Sequence, residues 1–551
     1  MKGELALVLH AHLPFVRHAE HDRFFEESWL YEAVAECYLP LLQLLFGWEG
    51  DRLDWALTLG ITPTLGSMLE DPLLGYRIRR YLGERIDLAN REEVRTRGEE
   101  EFQSLARFHG AFYRRVTALW DSLDGDLLGA FRILADTGRL ELLGGPATHP
   151  VLPLLILDAG SLQAQVELGC REHQRRFGKR PRGFWLPECA WCPAIEPVLR
   201  AAGIQHVVVD TRAVTEAQST PLTSVFGPVQ TLSGLIVFGR DPATAHQVWS
   251  REGGYPGDPR YREFYRDLGF EADWESIRPY LPGASARSFT GIKYHRVTGD
   301  SGPKALYERG RALEAVAGHA DHFLQQCKQR CEKIKPWMKR SPLIVAPYDA
   351  ELFGHWWFEG PEFLDAVQRG AASSGIRMVT LSARASDSGM RPKVNIVEST
   401  WGEGGYLEVL LDPSNAFLQP RLGEAGLAMR HLAHQVIRSD VFQRKKNFEE
   451  RTRCATECAR NLLLAQANDW PFLIRIGTAS GYARKRFEGH LEAFWQGIQW
   501  IQESANDIKP SGRPEIVTPE RCSLPFPEID LRWWLNPDPL IASALTGRKG
   551  A

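Results

Sequence analysis

Two acidic side chains occupy settings that suit general acid–base chemistry. Glu188 stands in GFWLPECAWCP (183–193), a carboxylate among aromatic and apolar residues with Cys189 and Cys192 beside it. Asp349 follows LIVAPY (343–348) and precedes AELFGHWW (350–357). Apolar, partly desolvating surroundings raise a carboxyl pKa, as a proton donor working near neutrality requires. A pair of this kind is the equipment of glycoside cleavage: one carboxylate attacks or activates water, and one carboxylic acid protonates the leaving oxygen. Three other features carry chemical potential. His10-Ala-His12 puts two imidazoles at i,i+2 on an extended segment, facing one way. They could bind zinc with Asp210, His149 or His355, donate to sugar hydroxyls, or be structural. Cys189-x-x-Cys192 has redox-like spacing, but the Ala-Trp interior and the absence of export signals favour packing. WGEGGY (401–406) is a glycine-rich turn with two aromatics. It lacks the spacing of a phosphate cradle, and there is no Gly-x-Ser-x-Gly elbow for acyl transfer.

The elements that position these residues alternate in type. Short β-rich runs at Leu5–Leu9, Trp55–Leu59, Leu140–Leu143, Gly183–Leu186, His206–Val209, Leu235–Phe238, Leu343–Ala346 and Met378–Leu381 are mostly followed by helical patterns such as Glu101–Leu123. The alternation predicts parallel βα units, and seven or eight of them suggest a barrel. His10, His149, Glu188, Asp210, Arg240, Asp241 and Asp349 all fall just past such runs, where parallel barrels build their sites. Arg251–Thr298 interrupts the rhythm with aromatics, arginines and turn residues, and reads as an insertion able to cover the site. From Gly423 the strands give way to helical runs at Glu424–Ile437, Asn447–Ala467 and Gly481–Glu503. A Pro-rich stretch from Lys509 is expected to wrap the surface.

Composition narrows the class. The chain has 551 residues, 44% hydrophobic and 25% charged, with a net charge of −3. That balance fits a globular protein of several domains and argues against partners bound through phosphates. Seventeen tryptophans suit either a large aromatic core or the flat faces of sugars. Nine cysteines, an odd number, are expected to be free thiols. The opening MKGELALVLHAHLPF reads as a first strand without a cleavage pattern, and no run is long enough for a membrane span. A cytoplasmic location is the expectation.

LHAHLPFVRH (9–18), GGPATHPVLPLL (144–155), GFWLPECAW (183–191), APYDAELFGHWWFEGPEFL (346–364) and WGEGGYLEVLLDPSNAFL (401–418) resemble, in order, the motifs of glycoside hydrolase family 57. GRDPATAHQVWS (239–250), YPGDPRYREFYRDLGF (255–270) and AQANDWPFLI (465–474) look closest to its α-1,4-glucan branching-enzyme branch. The resemblance runs from about residue 5 to FPEIDLRWW (526–534). It implies an α/β fold: an incomplete (β/α)7 barrel over 1–400 with an insertion at about 211–300, a C-terminal α-helical domain over 401–535 that reaches the active site, and a tail at 536–551. It implies a retaining mechanism with no metal or other cofactor. Glu188 would be the nucleophile and Asp349 the acid/base. His10, His12, His149, Arg266, Gly283, Trp401 and Asp469 would contact an α-glucan, with neither nucleic acid nor membrane as partner.

This chain departs from that branch at named places. Leu410 replaces a tryptophan nine residues after Trp401. Phe226 replaces a tyrosine in VFGPVQTLSG (225–234), where the resemblance implies a loop tip that shields the intermediate. DPSNAFLQPRL (412–422) lacks a Trp-Ile-Tyr-Arg run. The two acids are kept. Branching is therefore the leading expectation, an α-amylase or 4-α-glucanotransferase using the same acids is the second, and a glucan-binding protein with little turnover is the third.

Overall fold

The structure, a computed structural model, describes residues 2–218, 220–250, 253–283, 286–298, 304–438, 448–505 and 525–535. The expected tail at 536–551, and most of the stretch from Lys509, lie outside the described residues.

The described residues form nine strands: β1 (Gly3–Ala11), β2 (Leu57–Ile61), β3 (Leu140–Leu143), β4 (Gly183–Phe184), β5 (His206–Val209), β6 (Val229–Gln230), β7 (Ile236–Gly239), β8 (Leu343–Asp349) and β9 (Ile376–Met378). β1 pairs in parallel with β2 and β8, β2 with β3, β4 with β5, and β5 with β7. Two thin seams join these pairs into a ring. At one, Gly144 N donates to Gly183 O at 3.0 Å and Trp185 N to Gly144 O at 2.8 Å. At the other, Asp241 N donates to Val345 O at 2.8 Å. The order β1-β2-β3-β4-β5-β7-β8 is a seven-stranded barrel whose closure rests on few hydrogen bonds at those seams. β6 adds antiparallel to β7, and β9 pairs with the first three residues of β1.

The pleat decides what enters the barrel. Successive strand side chains alternate faces, so Leu5, Leu7 and Leu9 pack outward into the large core shared with the helices. Ala6 and Val8 point inward, where they meet Leu343 and Val345 of β8, Val208 of β5, Phe238 of β7 and Trp185. His10 and Asp349 continue these inward rows and are register partners, each near the C-terminal end of its strand.

Outside the ring, the helices at Pro72–Arg95 and Glu100–Ser122 pack side by side and carry the insertion. Arg85 donates to Thr290 O at 3.2 Å, His109 bonds to Lys293 O at 2.8 Å, and Tyr294 donates to Glu92 at 2.8 Å. The expected insertion bounds need narrowing, because 211–300 also contains β7, a barrel strand; the excursion begins after the helix Pro242–Trp249. The run at Trp55–Leu59 is shifted, since β2 spans Leu57–Ile61, and MVTL (378–381) is the end of β9 followed by Thr380 capping the helix Leu381–Ala385.

The C-terminal helices Leu418–Arg438, Phe448–Ala465, Asp469–Ile476 and Ser480–Ala505 build a second core around Trp470, Phe487, Phe494 and Trp534. This core docks on the segment after β3. Gln165 donates to Gln466 Oε1 at 3.0 Å and Asn468 N to His149 O at 3.4 Å.

Close backbone approach fixes one glycine on this path. A Cβ at Gly169, on the helix Ala159–Phe177, would lie 2.0 Å from Gly145 O. Gly169→Ala is expected to lower stability by about 1–3 kcal/mol through overpacking. Gly75→Ala, on an open face of Pro72–Arg95, should raise it by about 0.5–1 kcal/mol by removing a helix glycine. Denaturant titration of both variants checks the opposite signs.

Candidate active site

The C-terminal ends of the strands open into a cavity of about 1460 Å³ whose wall includes Glu188, Asp349, His10, His12, His149, Trp401 and Asp469. Small-molecule sites are usually about 300–1,000 Å³, so this space suits a chain of several units better than one small ligand.

Glu188 follows β4 on a strained turn. Its φ is 60° and that of Cys189 is 47°, both left-handed conformations that cost a non-glycine residue free energy. The turn is held from outside. Trp401 N and Thr400 Oγ1 each donate to Glu188 O at 2.9 Å, and Trp191 exchanges backbone hydrogen bonds with Ser399 at 2.8 and 3.1 Å. The side chain is fixed as well: Trp401 Nε1 donates to Oε2 at 3.0 Å and Asn468 Nδ2 to Oε1 at 3.4 Å. The glycine-rich WGEGG turn thus serves as the clamp on the Glu188 loop. Cys189 and Cys192 are buried and free, and burial pushes both thiols up, away from a reactive thiolate.

His149 is also left-handed, at φ 59°. Its Nε2 lies 2.8 Å from His10 Nε2, and its Nδ1 lies 2.8 Å from Asn468 Oδ1. Burial lowers both pKa values well below the usual imidazole value, with neighbouring histidines adding to the effect, so both rings are neutral near pH 7. One proton arrangement satisfies all contacts. His149 Nδ1–H donates to Asn468, His10 Nε2–H donates to His149, and Asn468 donates to Glu188. A directional chain of neutral donors therefore ends on the Glu188 carboxylate. Trp185 stacks on His10 at 4.6 Å and His149 stacks on His12 at 3.8 Å. His12 contacts Thr62 at 3.0 Å and Asp469 at 2.9 Å. Among the described residues, no three His, Cys, Asp or Glu side chains are arranged to hold a metal ion.

Asp349 is half-buried, within range of the charges of two other acids. Burial first, then the charges of Glu351 and Glu188, raise its pKa well above the ordinary carboxyl value. Glu188 is raised too, by burial, with the Trp401 hydrogen bond opposing. The environments thus separate the pair: Asp349 holds its proton more strongly, and Glu188 is the better stabilised anion.

Several residues at the site escaped sequence reasoning. Glu351 accepts from His12 N at 3.1 Å and from Tyr38 Oη; its position two residues past Asp349 was the available signal. Arg240 and Asp210, which the sequence already places just past strands, pair at 2.7 Å, and Arg240 lies over the Trp401 ring at 5.6 Å. A π-helical turn at Val34–Tyr38 aims three consecutive groups at the loop after β8. Glu36 pairs with His355 Nδ1 at 2.8 Å, Cys37 donates to Ala350 O at 3.0 Å, and Tyr38 donates to Glu351.

Four residues singled out from the sequence lie elsewhere. Arg266 pairs with Glu271 and does not line the cavity, nor does Gly283. Phe226 is not a tip over the site. Its carbonyl accepts from Leu343 N at 2.8 Å, at the start of β8. Six residues at about 3.3 Å each put that point about 20 Å from the Asp349 end. Leu410 is buried against Val151 and Ala190, beneath the His149 and Glu188 turns and outside the cavity wall.

Comparison with known proteins agrees with this architecture. Residues 6–396 match glycosyl hydrolase family 57, and residues 424–534 match the C-terminal module of 1,4-alpha-glucan branching enzymes. A 1,4-alpha-glucan branching enzyme of Thermococcus kodakarensis is 30% identical over 92% of this chain and 76% of its own length. The crystal structure of the alpha-amylase AmyC from Thermotoga maritima superposes with a TM-score of 0.88 at 34% identity, covering 97% of this chain and 99% of that one. The branching enzyme of Pyrococcus horikoshii gives 0.85 at 31% identity, covering 98% of each chain.

A pH dependence follows from Asp349. Its folded pKa is raised, so the folded state binds the proton more tightly than the unfolded chain. That contribution is full below the ordinary carboxyl value and is lost as pH rises through the folded value. Asp349→Asn removes the loss. Denaturation of both proteins from about pH 4 to about pH 9 should show the variant gaining relative stability as pH rises.

Proposed function

The chain belongs to glycosyl hydrolase family 57, and from that membership, the C-terminal module and the cavity we propose that it is a 1,4-α-glucan branching enzyme with Glu188 as nucleophile and Asp349 as acid/base. The observation that supports this assignment of roles is geometric: both acids line one cavity, and an indole and an amide N–H donate to Glu188. Glu188 attacks the anomeric carbon of an α-1,4 link while Asp349 gives its proton to the departing 4-oxygen. A covalent glucosyl-enzyme forms and the shortened chain leaves. Asp349, now ionised, takes the proton from a 6-hydroxyl of another glucan segment as that oxygen displaces Glu188. Two displacements retain the anomeric configuration. The Trp401 and Asn468 donors stabilise and aim the Glu188 carboxylate, His10 and His149 are held neutral by burial, and together with His12 they offer hydrogen bonds to donor-sugar hydroxyls. Asp469 reaches in from the helical domain through His12. No helix among the described residues is long and apolar enough to cross a membrane, and we place the enzyme in the cytoplasm, on polymeric α-glucan.

A second reading, hydrolysis of the same links, is favoured by the likeness to the Thermotoga alpha-amylase. Water reaching the glucosyl-enzyme before a 6-hydroxyl gives that outcome from the same acids.

Incubation with amylose separates the two. Branching raises the proportion of α-1,6 links at nearly constant reducing ends, whereas hydrolysis raises reducing ends alone. Glu188→Gln should retain the fold and lose activity by roughly a thousandfold or more, because the intermediate cannot form. An active Glu188→Gln protein would exclude the nucleophile assignment.

A further inference from the structure

One lobe of the cavity is not used by the chemistry above. Its wall is the short helix Ser28–Ala33, faced across the space by the insertion. Ser28, Trp29, Glu32 and Ala33 all line the cavity, the i, i+1, i+4, i+5 spacing of one helical face. Glu32 is only 5% exposed, yet among the described residues its carboxyl has no hydrogen-bond or ion-pair partner. The neighbouring acid Glu36, by contrast, is paired with His355 and turned away by the π-helical turn. Ser28 and Ser288 are each 3% exposed, line the same lobe, and likewise make no side-chain hydrogen bond among the described residues. Buried polar groups are nearly always satisfied by protein or by ordered water, and on a cavity wall a ligand hydroxyl can take the place of that water. These three groups line the same cavity as the rings of Trp29, Phe264 and Phe289. Aromatic faces framing unpaired oxygens match the alternating apolar and hydroxyl surfaces of a sugar.

We propose that Glu32, with Ser28 and Ser288 beside it, is a specificity-determining residue that holds a hydroxyl of the acceptor glucan chain. The word acceptor rests on the branching reading; the binding of a glucan segment in this lobe does not. Burial raises the Glu32 pKa to about 7, with the charge of His355 opposing. Near neutrality the group can therefore donate to a hydroxyl as well as accept from one. A carboxyl that held its proton less tightly would only accept, and would repel the anionic Glu36 behind it. The charged groups facing Glu32 from the packed elements are His355, Glu36, Lys293 and Asp267. His355 is already taken by Glu36, and Lys293 by Asp267 at 3.4 Å, which leaves the Glu32 carboxyl for a ligand.

The test uses the full chain carrying Glu188→Gln, so that glucans bind without turnover. Dissociation constants for maltooligosaccharides of increasing length are measured by calorimetry in that background, alone and with Glu32→Leu or Glu32→Gln. Glu32→Leu keeps much of the volume and removes both oxygens. It is expected to weaken long oligosaccharides about tenfold more than the shortest ones that bind, the worth of one hydrogen bond to a buried carboxyl. Glu32→Gln, which restores polar atoms at constant shape, should recover most of that difference. Equal affinities in parent and Glu32→Leu, an equal loss at every length, or no recovery by Glu32→Gln would overturn the proposal. In protein with Glu188 intact, Glu32→Leu should raise the KM for added acceptor about tenfold relative to any change in kcat, and shift product from α-1,6 links toward new reducing ends. If the parent makes no α-1,6 links, the branching reading fails by itself; the length dependence in the inert background still decides whether Glu32 binds glucan.

Discussion

Withdrawal of water from one pair of carboxyls is the constraint on which the site depends. Burial makes both Asp349 and Glu188 harder to ionise where they stand, and the charge of Glu188 adds to the effect on Asp349. That opposition is useful only if it is resolved unequally. The resolution comes from donors: Glu188 receives an indole N–H and an amide N–H, while burial and the charges of Glu351 and Glu188 leave Asp349 with its proton. Hydrogen bonds to the anion thus favour charge on Glu188 over charge on Asp349. The neutral histidines complete the arrangement, since a charged imidazolium beside Asp349 would weaken its hold on the proton.

The strain at Glu188 and His149 belongs to the same design. Both residues follow barrel strands, and both need left-handed backbone to turn the chain back over the strand ends. Neither turn is self-sufficient. WGEGG holds the first through backbone bonds, and Asn468 reaches both, contacting His149 by main chain and side chain and Glu188 by side chain. Leu410, at a place where the resemblance implies a tryptophan, fills the space beneath the two turns. It supports their geometry without meeting the contents of the cavity.

Much of this was legible in the sequence for one reason: barrel strands are short apolar runs, and the residue just past each run faces the mouth. LALVLHAH shows both the strand and the inward row that ends at His10, and LIVAPYD does the same for Asp349. The helical runs after Gly423 were equally plain from periodicity. What stayed hidden depends on distances through space. Asn468 looks like any polar residue before a helix, and nothing local shows that it meets His149 and Glu188. The π-helical turn that separates Glu32 from Glu36 leaves no mark in YEAVAECY, where an unbroken α-helix would stack the two acids. Phe226 was misplaced because a loop match says which residues correspond, not which end of the barrel they occupy. Arg266 pairs locally with Glu271, a five-residue contact that a motif match does not reveal.

The latch formed by Asn468 and Asp469 has a consequence for biosynthesis. Both carboxyls lie within the first 349 residues, but the amide that steadies Glu188 and the acid that contacts His12 are encoded more than a hundred residues later. A growing polypeptide that has already shaped its barrel therefore carries both reactive groups with part of their support still missing. The contacts that steady Glu188 and His12 can form only after positions 468 and 469 have been synthesised and the helices around them have docked.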